Sequence, residues 1–205
     1  MQIQIQNLTV NDKNLTEIQP FVNSIYAVEN LGIDLTAIKS EIDSSLYDSS
    51  LWFNRITGGK QTHNLSLTAF PNLQPIFSQI EPLIDHILKT WGVTIPVKLK
   101  HFLINIDEAN TYTTSHCHYD SIISGVFYIQ VPESSGNITF ERPDNQEYMF
   151  KGQELTPYTY SFFTLPPSEN MLLLFPSFIK HRVELHKFEN TEKRISISFD
   201  YGAKS

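Results

Sequence analysis

Cysteine is nearly absent: Cys117 is the only one in 205 residues, so no intrachain disulfide can form. That usage fits a reducing compartment, and the expectation is a cytoplasmic protein held together by its core. Basic clusters are missing too. Fifteen Lys and Arg lie scattered against 22 Asp and Glu, for a net charge of −7. This balance argues against a nucleic-acid backbone or an anionic membrane as partner. No apolar run approaches the length of a membrane span. The amino terminus, MQIQIQNLTV, has neither a basic nor a long apolar region and does not read as a secretory signal. Internal repeats, low-complexity tracts and linkers are also lacking, so residues 1–205 are expected to form a single domain.

Hydrophobic residues make up 40% of the chain and charged residues 18%, enough to bury a substantial core. Residues 2–10 alternate as a strand, with Ile3 and Ile5 on one side. Pro20 to Asn30 reads as a short helix closed near Gly32, and 35–47 as an amphipathic helix capped by Asp34. Residues 48–70 look irregular, with a turn at Gly58–Gly59. The strongest helix follows: Leu73, Ile76, Ile80, Leu83, Ile87 and Trp91 form one stripe, ended by Gly92 and kinked at Pro82. Beyond it the period is two. Strands are expected at 95–105, 111–118, 123–131, 136–142, 171–176, 180–187 and 193–201, with a looser stretch at 143–169. In the first of these, Val97, Leu99, His101, Leu103 and Asn105 are expected on one face. Helices followed by strands predict an α+β jelly roll, with the N-terminal helices packed on one sheet. Residues 1–94 form a mainly helical support region and 95–201 the core.

The densest chemistry lies in SHCHYDSIISGVFYIQV, residues 115–131, where His116, His118 and Asp120 occupy alternate positions. On an extended backbone such positions share a side, so either His116/His118 or His118/Asp120 could grip one divalent ion. His181, after the turn in MLLLFPSFIK, is the candidate third ligand. Two ligands from one strand end plus a distant His describe a facial triad, with positions left open for substrate and oxygen. In KRISISFD, Ile195, Ile197 and Phe199 face one way, while Arg194, Ser196, Ser198 and Asp200 face the other. Arg194 with Ser196 can clamp a carboxylate. Tyr128, on the strand after the ligand cluster, offers a hydroxyl to the same acid, and Asn105 and Tyr112 are further candidates of that kind.

The ordered blocks H-x-H-x-D-S-x-x-S-G-V-x-Y, VPESSGNITFERP, L-L-L-F-P-S-x-x-x-H and R-I-S-I-S-F-D resemble the 2-oxoglutarate/Fe(II)-dependent oxygenases. They are similar to a small bacterial and phage branch of that family, related to prolyl and aspartyl/asparaginyl hydroxylases. The resemblance covers 95–201, and more weakly GGKQTHNLSLTAFPNLQPIF upstream. It implies a double-stranded β-helix, Fe(II) and 2-oxoglutarate as cofactors, O2 as oxidant, and a peptide or small-molecule substrate. His181 matches the distal ligand and Arg194 the residue holding the far carboxylate of 2-oxoglutarate, helped by Ser196. The branch usually reads H-x-H-P-N-S, which favours His116/His118; the wider superfamily reads H-x-D, matched by His118/Asp120. Halogenation or desaturation would use related scaffolds, with hydroxylation the default. The rivals are a non-catalytic jelly-roll binding module and a cupin-type metalloenzyme without 2-oxoglutarate. Exposed edge strands would allow a homodimer.

Overall fold

Strict alternation in the C-terminal half folds as that pattern requires, into two antiparallel sheets facing one another. The computed structural model describes residues 4–10, 13–19, 24–46, 48, 50–143, 161–187, 189 and 191–204. In chain order the elements are β1 (Gln4–Val10), β2 (Lys13–Gln19), β3 (Ile25–Val28), α1 (Leu35–Ser45), β4 (Trp52–Asn54) and β5 (Lys60–Thr62). A 3-10 turn (Pro71–Leu73) leads into α2 (Gln74–Thr90). Then come β6 (Val97–Asp107), β7 (Thr113–His116), β8 (Ile123–Gln130), β9 (Ile138–Glu141), β10 (Phe162–Leu165), β11 (Leu172–Pro176), β12 (His181–Val183) and β13 (Arg194–Ala203).

The larger sheet has nine strands in the order β1-β2-β3-β11-β8-β13-β6-β5-β4, and the smaller has four, β10-β9-β12-β7. Strands β11-β8-β13-β6 facing β10-β9-β12-β7 make the eight-stranded double-stranded β-helix, an α+β jelly roll. The N-terminal region supplies both helices and also five strands, which extend the larger sheet at its two sides.

Two cores flank the larger sheet. On its outer face, α1 and α2 bury Ile38, Ile42, Ile76, Phe77, Ile80 and Ile84 against Phe102, Ile104, Ile197 and Phe199. The Phe77 ring lies 5.1 Å from Phe102 and 5.7 Å from Phe199. Asp34 caps α1 through the Thr36 N–H at 2.9 Å. The helix α2 continues through Pro82 and buries seven apolar side chains. At about 1.5–3 kcal/mol each, that stripe gives an upper bound of roughly 10–20 kcal/mol for docking the helix. Between the two sheets lies the smaller core, with Val126, Tyr128, Ile138, Phe140, Leu173 and Phe175.

Three expectations are corrected. Ile25–Val28 is β3, not part of a helix; it pairs with β2 and β11 and all four residues are buried. A strand covered on both faces reads as a continuous apolar run, which periodicity alone cannot separate from a helix. Residues 20–23 of that expected helix lie outside the described residues. The 48–70 region holds a β4–β5 hairpin with Trp52 opposite Thr62. It turns at Gly58 and Gly59, whose φ values are 89° and 76°. In β6 the expected single face is broken. Asp200 pairs with His101 but Tyr201 pairs with Leu99, a bulge at Lys100. Val97 and Leu99 therefore pack on the helix-side core. Leu103, Asn105 and Asp107 line the cavity on the other face. Of the aromatic residues in the looser stretch at 143–169, Phe162 and Phe163 lie on β10, while Tyr148, Phe150, Tyr158 and Tyr160 fall outside the described residues.

Candidate active site

The end of β7 and the start of β12 are in register, with His181 directly opposite His116. Their rings sit 4.4 Å apart between centroids. His118 has already left β7; its N–H donates to the Ser177 carbonyl at 2.9 Å, which turns it back towards β12. Its ring lies 5.2 Å from each of the other two. Three residues from two segments about sixty positions apart thus converge, with candidate ligand atoms all within 4.8 Å of one another.

Each imidazole has one nitrogen engaged. His116 Nδ1 meets the Thr114 carbonyl at 2.9 Å and His181 Nδ1 the Ile179 carbonyl at 3.0 Å. His118 Nδ1 meets Asp200 Oδ2 at 2.7 Å. A carbonyl only accepts, so the Nδ1 atoms of His116 and His181 carry the protons and their Nε2 lone pairs are free. The carboxylate imposes the same tautomer on His118, whose Nε2 is buried without a hydrogen-bond partner among the described residues. Three neutral imidazoles presenting Nε2 to one point suit a divalent transition metal. The donor set therefore fits Fe(II).

Asp120 lies outside this cluster. Its φ of 64° breaks the alternation that would have aligned it with His118, and its carbonyl accepts from Lys100 Nζ at 2.7 Å. A carboxylate reaches the site by another route. Asp200 Oδ2 bridges His118 Nδ1 and His101 Nε2, each at 2.7 Å, while Oδ1 accepts from the Ser124 hydroxyl. Asp200 was legible on the inward face of β13, and its partner His101 on the face of β6 that carries Leu103 and Asn105.

Burial lowers the His181 pKa from 6.5 to about 3; the charges of His116 and His118 add to this, while the Ile179 bond and Asp200 oppose it. The unfolded chain takes up a proton near 6.5 that the folded, metal-free protein refuses until about 3. Stability is therefore fully present above about pH 6.5 and falls on acidification through that window, by up to about 1.4 kcal/mol per pH unit from this group. Urea unfolding of the metal-free protein between pH 7.5 and 5 should show this slope, and His181→Gln should flatten it. Equal slopes in the two proteins would refute the assignment.

At the other part of the site Arg194 is almost wholly buried, its guanidinium 5.0 Å above the Tyr128 ring. Burial raises the Tyr128 phenol above its ordinary value, with the Arg194 charge opposing. Asn105 links Gln61 and Ser198: it accepts from Gln61 Nε2 at 2.6 Å and donates to Ser198 Oγ at 3.0 Å. The three histidines, Arg194, Ser196, Tyr128 and Asn105 all line one cavity of about 270 Å³ between the sheets. Tyr112, exposed, does not line it. Arg55 and Asp107 also line it and were not anticipated. Arg55 comes from the β4–β5 turn, and no local pattern announces its destination. Asp107 shares the inward face of β6 with Asn105.

Residues 102–200 match the family described as "Putative 2OG-Fe(II) oxygenase". A search of curated proteins gives no match. Among solved structures, the chain is similar to a prolyl hydroxylase from Trichoplax adhaerens in complex with a hypoxia inducible factor peptide fragment. The TM-score is 0.64 at 14% identity, over 87% of this chain and 83% of that one. A Pseudomonas putida prolyl-4-hydroxylase gives 0.58 at 10% identity, over 88% and 93%. The epimerase SnoN in complex with Fe3+, alpha ketoglutarate and nogalamycin RO gives 0.62 at 16% identity, over 86% and 78%. At these identities the structures speak for the shared jelly roll, while the sequence match speaks for the chemistry. Over residues 102–200, then, the chain matches the 2-oxoglutarate/Fe(II)-dependent oxygenases, a family that uses ferrous iron, 2-oxoglutarate and O2.

Proposed function

We propose that His116, His118 and His181 hold Fe(II), and that Arg194, Ser196, Tyr128 and Asn105 hold 2-oxoglutarate in the adjoining cavity. The reaction is hydroxylation of a C–H bond in a protein side chain or small metabolite. Substrate, 2-oxoglutarate and O2 give the alcohol, succinate and CO2. The observation that carries this reading is the convergence of three imidazoles, each with Nδ1 already engaged. Iron, when bound, supplies the oxygen activation that accompanies decarboxylation of 2-oxoglutarate.

The chain's own residues bind and exclude. His116 and His181 stay neutral because burial disfavours their protonated forms. Arg194 offers a forked donor to the far carboxylate of 2-oxoglutarate, and the Ser196 hydroxyl lies two positions along the same face of β13. Leu103, Val126, Ile138 and Phe175 give the cavity apolar walls that keep water from the reacting groups. The neighbours' printed ligands include both a peptide and a small molecule, which supports leaving both substrate classes in the proposal. The single cysteine supports a cytoplasmic setting. No described helix is long and apolar enough to cross a membrane. The free edges of the larger sheet support a homodimer.

The first test is succinate release from 2-oxoglutarate by the wild-type protein with added Fe(II), without prime substrate. Metal-dependent release is expected; its absence together with an absence of 2-oxoglutarate binding would overturn the reading in favour of a binding module. A second test concerns Asp200. Asp200→Asn keeps the shape but removes the charge that fixes His118, so metal affinity should fall about 10–100-fold, the scale typical of such orienting partners. Competition with a chromophoric chelator measures this without turnover, and an unchanged affinity would show Asp200 to be structural only.

A further inference from the structure

Two guanidiniums meet one carboxylate inside the cavity. Asp107 on β6 stands opposite Arg194 on β13 in the strand register. Arg55 reaches the same carboxylate from the turn after β4, its Nη2 donating to Asp107 Oδ1. Arg194 Nη1 meets the other oxygen, Oδ2, at a long 3.4 Å. His186 completes the group, with Nε2 3.6 Å from Asp107 Oδ2 and 3.3 Å from Arg194 Nη1. His186 Nδ1 accepts the Gly136 N–H at 2.8 Å, so that nitrogen carries no proton and the ring adds no charge.

The charges do not cancel. Among the described residues, two cations and one anion leave a net charge of one positive, with side-chain exposures of only 12% for Arg55, 4% for Asp107 and 2% for Arg194. The Nε atoms of both arginines are buried without a hydrogen-bond partner among the described residues. A buried excess cation with unused donors is costly unless an anion arrives. Burial alone would raise the Asp107 pKa, but the His186 bond and the charges of Arg194 and Arg55 outweigh it and hold it at about 2. Asp107 is thus a permanent anion competing for Arg194.

We propose that Arg55 is a positioning residue for the cosubstrate: by occupying Asp107 it leaves Arg194 free to take the far carboxylate of 2-oxoglutarate. This rests on the role given to Arg194 above. Without Arg55, Asp107 would close on Arg194 and neutralise it. Because Arg55 belongs to the β4–β5 hairpin, which joins the sheet by pairing Lys60 and Gln61 of β5 with Ile106 and Asn105 of β6, docking of that hairpin completes the anion pocket.

The test is a calorimetric titration of 2-oxoglutarate into the Mn(II)-loaded protein without oxygen. Wild type, Arg55→Ala, Asp107→Asn and the double variant are compared, with Mn(II) affinity measured separately. Arg55→Ala should weaken 2-oxoglutarate binding at least about tenfold, the scale of one charge-assisted hydrogen bond. The double variant should recover to within about threefold of wild type, because the competing carboxylate is gone. Asp107→Asn alone should bind at least as tightly as wild type. A merely structural Arg55 predicts the opposite, a double variant weaker than either single one. That result, or an Arg55→Ala variant equal to wild type, overturns the proposal and leaves the role of Arg194 intact. Should Arg55→Ala not fold, the Asp107→Asn arm decides by itself, and weaker binding there overturns the proposal. No 2-oxoglutarate binding by the Mn(II)-loaded wild type would instead overturn the cosubstrate reading on which this one stands.

Discussion

Truncating His181 to alanine should abolish the metal site, with metal affinity falling by more than the roughly 10–100-fold expected for an orienting partner. The reason is geometric. His181 is buried on a three-residue strand whose register places it against His116, and two remaining imidazoles cannot define a three-point face. Its ring also packs against Phe175 at 4.7 Å, so some stability is lost with it. Chelator competition with Co(II) and a thermal melt of the metal-free protein separate the two effects. Asp120→Ala is the informative control. Affinity within about twofold of wild type is expected, because the Asp120 side chain stands outside the cluster; a collapse comparable to His181→Ala would restore the His118/Asp120 pair as ligands.

Arg194→Ala should weaken 2-oxoglutarate binding by roughly 30-fold to several thousand-fold, the range for removing one partner of a buried charge pair. Metal affinity should be little changed, because Arg194 does not belong to the ligand cluster. Folding should survive, since Asp107 keeps Arg55 as partner. Arg194→Lys keeps the charge but not the planar fork, and should recover only part of the loss. Titrating 2-oxoglutarate and succinate into the metal-loaded variants provides the measurement. A cupin-type enzyme without 2-oxoglutarate predicts no change in turnover from Arg194→Ala, so equal activity in variant and wild type would exclude the cosubstrate role.

How much of this was legible in the sequence depends on the range of the interaction. Arg194, Ser196 and Ser198 were placed correctly on one face because alternation along an uninterrupted strand is a local property. The same rule failed in β6, where one bulged residue exchanged the faces of Val97 and Leu99. It failed again at Asp120, where a left-handed backbone ended the alternation that links His116 and His118. β3 was misread because a strand sandwiched on both faces has no polar side to set a period. Arg55 and His186 carry no local signal at all. Strand order brings Arg55 to Asp107, with β5 placed beside β6, while His186, beyond β12, is held there by bonds to the backbone of Asn110, Thr111 and Gly136.

The two sheets are built on different scales. Three strands of the larger one, β6, β8 and β13, run to 11, 8 and 10 residues, and β8 and β13 are buried along nearly their whole length. Those of the smaller sheet run to 4, 4, 4 and 3 residues. Amides of β8 and β13 should therefore exchange with solvent only through global opening, while those of β7 and β12 escape through cheaper, local excursions. His116 and His181 ride on the second kind of strand. An ion held there as proposed would thus be exchanged or lost while the hydrophobic body stays closed, and chelation should leave a folded protein that can be reloaded.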